Sequence, residues 1–208
     1  MKTLPITYKK LVIALFIVVT GMPSHSFAAD PKFRRPLDSL LSPTFSAYYD
    51  HDTGSSFKNY YCKTDTGYNG HKGTDFRAKV PTDIFAAANG GLWKRYDSCN
   101  NNGFIGNTCG DSFGNHAWID HEGNTSDGVG WQTIYAHMYP GTVAYFQSTK
   151  CGAKIGMTGS SGNVDGPHLH FEVRKYSYPN NDPFSGACSG STSFWVNQNN
   201  GTPTTQCQ

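Results

Sequence analysis

Two short segments of the chain combine side chains that can bind a metal ion or move a proton. In the first, which runs from Gly70 to Phe76, His71 and Asp75 stand four residues apart. The glycines within and beside this spacing disfavour a helix, so we expect a turn that enters a strand. Taken alone, one imidazole and one carboxylate are weak evidence of a site.

The second segment, Gly166 to Val173, alternates apolar and polar side chains, which is the pattern of a half-buried strand. Leu169, Phe171 and Val173 would share the apolar face. His168, His170 and Glu172 would share the polar face. A strand that projects two imidazoles from one face is a rigid support for a metal site.

A third candidate is His137, within the segment from Ile134 to Tyr139. Small and apolar residues alternate there with Tyr135, His137 and Tyr139, so we expect these three side chains to face away from the core. A single histidine usually has a structural role, and the interpretation therefore depends on the combination of the three segments. Two imidazoles and a carboxylate suit Zn²⁺ and leave one position for water or substrate.

Three other polar residues have less certain roles. Glu172 either orients a metal ligand or is a solvent-facing acid of the strand. His116 and His121, in another predicted strand, are interpreted as structural.

The elements around these residues predict an all-β domain with long loops. The body is rich in Gly, Asn, Ser and aromatic residues, and its short apolar runs show no helical period. Loops are expected at Asn100–Gly114 and Glu122–Gly130. Strands are expected at Asp83–Ala88, Gly91–Tyr96, His116–His121, Gln132–Met138, Lys154–Met157 and His168–Arg174.

The N-terminus predicts export. Three lysines precede the ten-residue segment Leu11–Thr20, and Ser26 and Ala28 supply the small residues of a cleavage site after Ala28. The apolar segment is shorter than the about 20 residues that a membrane-spanning helix needs, so no membrane anchor is expected in the mature chain. The expected organisation is a signal peptide over 1–28, an extended leader over 29–47 and one domain over 48–208.

The mature chain would be almost neutral. Removing the three signal-peptide lysines from 17 basic residues leaves 14 against 15 acidic ones, a net charge of −1. This balance provides no electrostatic argument for a nucleic-acid partner.

Six cysteines, all after the signal peptide, indicate three disulfides in an oxidising compartment. The cysteines do not form the closely spaced pairs of a zinc–thiolate site, so such a site is not expected. Many pairings are possible. The expected ones are Cys99–Cys109 around a polar loop, Cys188–Cys207 in the tail and Cys62–Cys151 by elimination.

Several motifs between residues 68 and 176 occur in the order of a known family. They are His71–Phe76, Ile84–Gly90, Gly114–His121, Tyr135–Met138, Ile155–Gly162 and Gly166–Arg174. With these motifs the chain resembles the lysostaphin-type zinc metalloendopeptidases, which include LasA-like elastases and peptidoglycan hydrolases. The resemblance implies antiparallel β-sheets that form an open groove walled by loops.

The resemblance also implies roles for individual residues. His71, Asp75 and His170 would ligate one Zn²⁺ per chain, and His168 and His137 would form the catalytic pair. Because the chain has no HExxH motif, a histidine must act as the base. We expect His168 to be the general base and His137 to donate to the oxyanion, although the two roles are interchangeable at this stage. The loop over 97–111 and the segment over 139–151 depart from the family pattern and are expected to border the groove.

The expected function is a secreted or periplasmic, monomeric zinc endopeptidase that cleaves peptidoglycan stem-peptide crosslinks. Three alternatives remain open. They are a protease for Gly-rich peptides or proteins, a zinc carboxypeptidase for D-Ala termini, and a non-catalytic cell-wall-binding regulator on the same fold. The carboxypeptidase requires an ExxH-like pair where this chain has HxH, and the regulator is expected to lack metal ligands.

Overall fold

The computed structural model describes residues 30–38, 44–121, 130–175, 178–199 and 202–208. Over these ranges the chain forms strands and loops, with no helix, and so none that is long and apolar enough to cross a membrane. The expected all-β, antiparallel fold is therefore confirmed. The expected signal peptide and nearly all of the expected loop at Glu122–Gly130 lie outside the described residues.

Eleven strands are formed by the described residues. They are β1 (Phe45–Ala47), β2 (Thr74–Arg77), β3 (Asp83–Phe85), β4 (Gly91–Tyr96), β5 (Asn115–His121), β6 (Trp131–Met138), β7 (Lys154–Met157), β8 (His168–Lys175), β9 (Tyr178–Asn181), β10 (Gln198–Asn199) and β11 (Thr202–Pro203). The main sheet has the order β1-β2-β8-β6-β5-β4, and β9 pairs with β8. The pairs β3–β7 and β10–β11 form two small sheets.

The six strands expected from the sequence are all present. Five have the expected bounds or differ by one residue at an end, whereas β3 stops at Phe85 instead of Ala88. Ala86 still exchanges backbone hydrogen bonds with Gly152 and Ala153, and the amide of Ala87 then donates to the hydroxyl of Tyr135. The strands β1, β9, β10 and β11 were not expected. Each has two to four residues, too few to show a period.

The core lies on one face of the main sheet. Phe76 of β2 and Phe171 of β8 pack there against Trp195 from the C-terminal segment. Phe33 of the N-terminal segment lies beside Trp195, with backbone hydrogen bonds to both of its neighbours, and is fully buried. Both ends of the described chain therefore close the core on the face opposite the polar side chains of β8.

Three disulfides are present: Cys99–Cys109, Cys62–Cys188 and Cys151–Cys207. The expected bond across the polar loop is confirmed, whereas the expected pairs Cys188–Cys207 and Cys62–Cys151 are wrong.

The course of the C-terminal segment explains the correction. The amide of Cys188 donates to the carbonyl of Tyr60, which brings this cysteine to Cys62. The chain then crosses the core through Trp195 before the carbonyl of Thr204 accepts from Arg35. Cys207 consequently ends beside Cys151, far from Cys188.

Candidate metal centre

Three neighbouring strands position the candidate site. β8 lies between β2 and β6, and all three run antiparallel. The register places Asp75 of β2 and Ala136 of β6 directly opposite His170 of β8. Paired residues of neighbouring strands project to the same face, so Asp75 and His170 meet there. On the β6 side of His170 the paired residue, Ala136, contributes only a methyl group.

His71 reaches the same point from the turn that precedes β2. Its Nδ1–H donates to the carbonyl of Tyr48, 2.7 Å away, so the lone pair of Nε2 points into the site. Asp50 holds the turn from behind, because its amide donates to the carbonyl of His71 and its carboxylate accepts from the amide of Gly70. The turn expected from the glycines is thus present, and it is tied down by residues that sequence analysis did not single out.

Gly73 permits the close approach of this turn to β8. A Cβ atom at this position would lie 2.6 Å from the carbonyl oxygen of Phe171 and 2.8 Å from Cε1 of His170. Any larger side chain would therefore push His71 and Asp75 away from His170.

The orientation of His170 is set by Glu172, two residues along the same strand. The Nε2–H of His170 donates to Oε1 of Glu172 at 3.0 Å, which leaves the Nδ1 lone pair for the site. Arg174 holds Glu172 in turn, with Nε and Nη2 each 2.6 Å from Oε2. Glu172 is 2% exposed, so it is a buried partner of the site and not a solvent-facing acid.

Three donor atoms converge in this way. Nε2 of His71, Oδ1 of Asp75 and Nδ1 of His170 lie 2.7 to 3.1 Å from one another. A tetrahedral zinc ion with bonds of about 2.0–2.1 Å separates its ligand atoms by about 3.3 Å, close to this triangle. Two imidazole lone pairs and a carboxylate oxygen repel one another unless a cation lies between them. The donor set therefore fits Zn²⁺.

The charges of the metal-free protein agree with this fit. Burial by itself would lower the pKa of His170, but its hydrogen bonds to Asp75 and Glu172 outweigh burial and raise that pKa to about 10. Burial would likewise raise the pKa of Asp75, yet its bonds to His170 and His71 hold it well below the usual value. The site thus strongly attracts positive charge at the point where the three donor atoms meet.

His137 reaches the site through an irregularity in β6. The register against β5 pairs Tyr135 with Ala117 and Met138 with Asn115, so β6 has one residue more than β5 over this stretch. The extra residue forms a bulge in which His137 has a φ of 61°. In a regular strand His137 would share the core face with Tyr135. The bulge turns it to the face of His170.

The expected orientation of Tyr135 was therefore wrong. Tyr135 is fully buried in the core, with its ring 5.3 Å from that of Phe171. The alternation around His137 does not extend through the bulge, and nothing in the sequence of this segment marks the bulge.

His168 and His137 lie side by side, with ring centroids 4.9 Å apart. Nδ1–H of His168 donates to the carbonyl of Gly166, and Nδ1–H of His137 donates to the carbonyl of Ser161. In the neutral form of each ring Nε2 is therefore the acceptor nitrogen, and that of His168 lies 3.7 Å from Oδ1 of Asp75. Burial, followed by the neighbouring His168 and His170, lowers the pKa of His137 well below its ordinary value.

A cavity of about 410 Å³ opens over these residues. Asp75, His137 and His168 line its floor, and Tyr68, Ile105 and Asp165 are among the other lining residues. Ile105 comes from the disulfide-closed loop, as expected, whereas no residue of 139–151 lines the cavity. Sequence analysis did not single out Tyr68, Ile105 or Asp165, because loop residues carry no periodic signal.

The comparisons with known proteins identify the family of this chain. The model of "Peptidase family M23" matches residues 69–183, which is more than half of the chain. The chain belongs to Peptidase family M23. This membership and the converging donor atoms confirm the expected zinc cofactor and the lysostaphin-type resemblance.

Named relatives match parts of this M23 chain. Peptidoglycan DD-endopeptidase ShyC of Vibrio cholerae is 36% identical over 103 residues, which are 49% of this chain and 19% of that protein. Glycyl-glycine endopeptidase ALE-1 of Staphylococcus capitis is 32% identical over 147 residues, 65% of this chain and 35% of that protein. The matches thus span one fifth to one third of these relatives.

A solved structure supports the fold. A zinc-containing peptidase from Vibrio cholerae superposes with a TM-score of 0.52 at 20% identity, over 79% of this chain and 41% of that chain. At this identity the likeness concerns the M23 fold alone.

Proposed function

We propose that this M23 chain is a zinc-dependent endopeptidase that hydrolyses stem-peptide crosslinks of peptidoglycan. The observation that supports the proposal most directly is the triangle of donor atoms from His71, Asp75 and His170, 2.7 to 3.1 Å apart, beside two imidazoles that face the same cavity. ShyC and ALE-1 are both named as endopeptidases, and this reaction class is the one we propose here.

The proposed ligands of the metal are His71, Asp75 and His170. When bound there, Zn²⁺ supplies a Lewis acid that polarises the scissile carbonyl and lowers the pKa of water. Nε2 of His168 takes the proton of the attacking water and passes it to the leaving amine. The Asp75 carboxylate, 3.7 Å from this nitrogen, stabilises the imidazolium that forms.

His137 has a different task in this proposal from the oxyanion donation expected from the sequence. Its Nδ1–H is committed to the carbonyl of Ser161, so Nε2 must gain a proton before it can donate. Burial and the neighbouring histidines lower the pKa of His137 and oppose that protonation. We therefore assign Nε2 of His137 as a hydrogen-bond acceptor that orients the attacking water or the leaving amine.

The proposed setting is the bacterial periplasm or the medium, reached after removal of residues 1–28. Three disulfides suit an oxidising compartment of this kind. We further propose a monomer without a membrane anchor, since the site is built from one chain. Gel filtration of the 29–208 chain checks the monomeric state.

The test is digestion of purified sacculi by the zinc-loaded 29–208 chain, followed by mass spectrometry. We expect crosslinked dimers to be converted to monomers. His71→Ala loses both zinc and activity, whereas His137→Ala retains stoichiometric zinc and loses turnover at least about 100-fold, as for removal of a group that acts on the proton. Metal analysis of each variant accompanies the digestion.

Other products would decide for an alternative. Release of D-alanine with intact crosslinks indicates a carboxypeptidase, and intact sacculi with cleavage of a glycine-rich peptide indicate a different endopeptidase. A zinc-loaded protein that binds sacculi and cleaves neither is the non-catalytic regulator. Zinc loss in His137→Ala would contradict the division of roles.

A further inference from the structure

The cavity over the metal centre has lining residues that the proposed mechanism does not use. Tyr68 packs against the ring of His71 at a centroid distance of 4.6 Å. Ile105 and Asp165 come from two loops elsewhere along the chain and line the same cavity as His137. These three side chains are therefore accessible to a peptide that occupies the cavity.

The loop that carries Ile105 is held rigidly. The Cys99–Cys109 disulfide closes it at its base. Its amides at Gly103 and Phe104 donate to backbone carbonyls of the loop that precedes β8, at 2.6 and 3.2 Å. The amide of Gly106 donates to the side chain of Asn163 at 2.7 Å. Ile105 is thus presented to the cavity by a fixed support.

Two lining side chains are apolar and exposed. Ile105 is 72% exposed and Tyr68 is 55% exposed, although both belong to well-anchored loops. Large apolar side chains held at the rim of a catalytic cavity are suited to contact the aliphatic part of a ligand.

Asp165 adds an unpaired negative charge to this surface. Within the part of the chain that the structure describes, no hydrogen bond or ion pair reaches its carboxylate. Other acidic or amide side chains in turns do have such bonds: Asp52 accepts from the amide of Gly54, and Asn107 accepts from that of Cys109. Asp165 therefore does not stabilise its own turn.

Among the residues that the structure describes, no lysine or arginine lines the cavity beside Asp165. The carboxylate of Asp165 could therefore form an ion pair with a cationic group of a ligand.

We propose that Tyr68, Ile105 and Asp165 form a subsite for a substrate residue with an aliphatic side chain that ends in an ammonium group. Asp165 pairs with the ammonium group, and the two apolar side chains cover the aliphatic part. Asp165 is then a specificity-determining residue. The inference rests on the proposed peptidase function and names the substrate feature that this site selects.

The test compares one substrate in two forms. Soluble crosslinked stem-peptide dimers that carry a free side-chain amino group are used as such and after N-acetylation, which removes the charge. We expect the wild-type protein to favour the free-amine form roughly fivefold in kcat/KM, as for a partly exposed ion pair. Asp165→Asn should lose this preference, and Asp165→Glu should retain part of it.

The control is Asp111→Asn, which removes an exposed carboxylate that is paired with Lys94. It should keep the wild-type preference. A preference that survives in Asp165→Asn, or that is absent from the wild-type protein, overturns the subsite.

Calorimetric binding of both dimers to the metal-free wild-type and Asp165→Asn proteins separates this inference from the proposed function. If neither dimer is hydrolysed but the wild-type protein alone binds the free-amine form more tightly, the subsite stands and the peptidase assignment fails. Equal binding of both forms by the wild-type protein overturns the subsite.

Discussion

At the scale of single residues, the four histidines of the site differ from a buried histidine elsewhere in the described chain. His71, His137, His168 and His170 converge on one cavity floor or its metal centre, whereas His121 is buried elsewhere and fully bonded. Residue type alone does not separate them. The hydrogen-bond partners of the ring nitrogens distinguish them, because these partners determine which nitrogen retains a lone pair.

His121 makes stability depend on pH. Its Nδ1–H donates to the carbonyl of Asn89, and its Nε2 lies 2.8 Å from the hydroxyl of Thr133. Burial lowers its pKa from 6.5 to about 4. Between these values the unfolded chain binds the proton and the folded chain does not. The stabilisation is therefore complete above pH 6.5 and is lost as the pH falls towards 4.

We expect this group to contribute a loss of about 2–3 kcal/mol in unfolding free energy between pH 7.5 and 4.5. His121→Gln, which can still donate and accept but does not titrate, should show a correspondingly smaller loss. Urea unfolding at both pH values, with a chelator present so that metal binding does not contribute, measures the difference. An equal loss in both proteins would contradict the assignment to His121.

At the scale of elements, β8 is the strand that organises the site. The sequence pattern predicted the two faces of β8. In the structure Leu169 and Phe171 lie in the core, and Glu172 accepts a hydrogen bond from His170 on the opposite face. β6 is the opposite case. Its bulge at His137 reverses the alternation, and the expected face of Tyr135 was wrong for that reason.

The alternation of β8 has a testable consequence at Glu172. Glu172→Gln keeps the shape of the side chain but removes the charge that pairs with Arg174 and attracts the Nε2–H of His170. We expect zinc affinity to fall about 10- to 100-fold, as for other partners of metal-bound histidines. Competition with a chromophoric chelator measures this affinity.

The control for Glu172→Gln is again Asp111→Asn, whose carboxylate is exposed and paired with Lys94. Unchanged zinc affinity in Glu172→Gln would mean that Glu172 has no part in holding the metal ligand.

At the scale of the whole molecule, the two ends of the chain complete the core. Trp195 is 2% exposed and contacts Phe76, Phe171 and Phe184. Sequence analysis described the region from Cys188 to Cys207 as a tail and the residues 29–47 as an extended leader. Both descriptions follow from local composition, which does not reveal what a segment packs against.

We expect Trp195→Ala to destabilise the protein by about 3–5 kcal/mol, because it leaves a large cavity between the sheet and the N-terminal segment. Trp93→Ala is the matched control. Trp93 is 53% exposed, and its replacement should cost less than about 1 kcal/mol. Denaturant unfolding of both variants measures the two values. Equal losses would mean that the C-terminal segment does not close the core.

The sequence by itself determined the β class, five strands to within one residue, the Cys99–Cys109 bond and the motifs whose resemblance assigns His71, Asp75 and His170 to the metal. These features depend on side-chain periodicity, short loops or ordered motifs, all of which are local along the chain.

Only the tertiary structure decided the other two disulfides, the bulge that turns His137 into the cavity, the bond from Glu172 to His170, and the meeting of Tyr68, Ile105 and Asp165. Each of these depends on which distant segments pack together or on a strand register. Packing of that kind results from the burial of the whole core, so no short stretch of sequence encodes it.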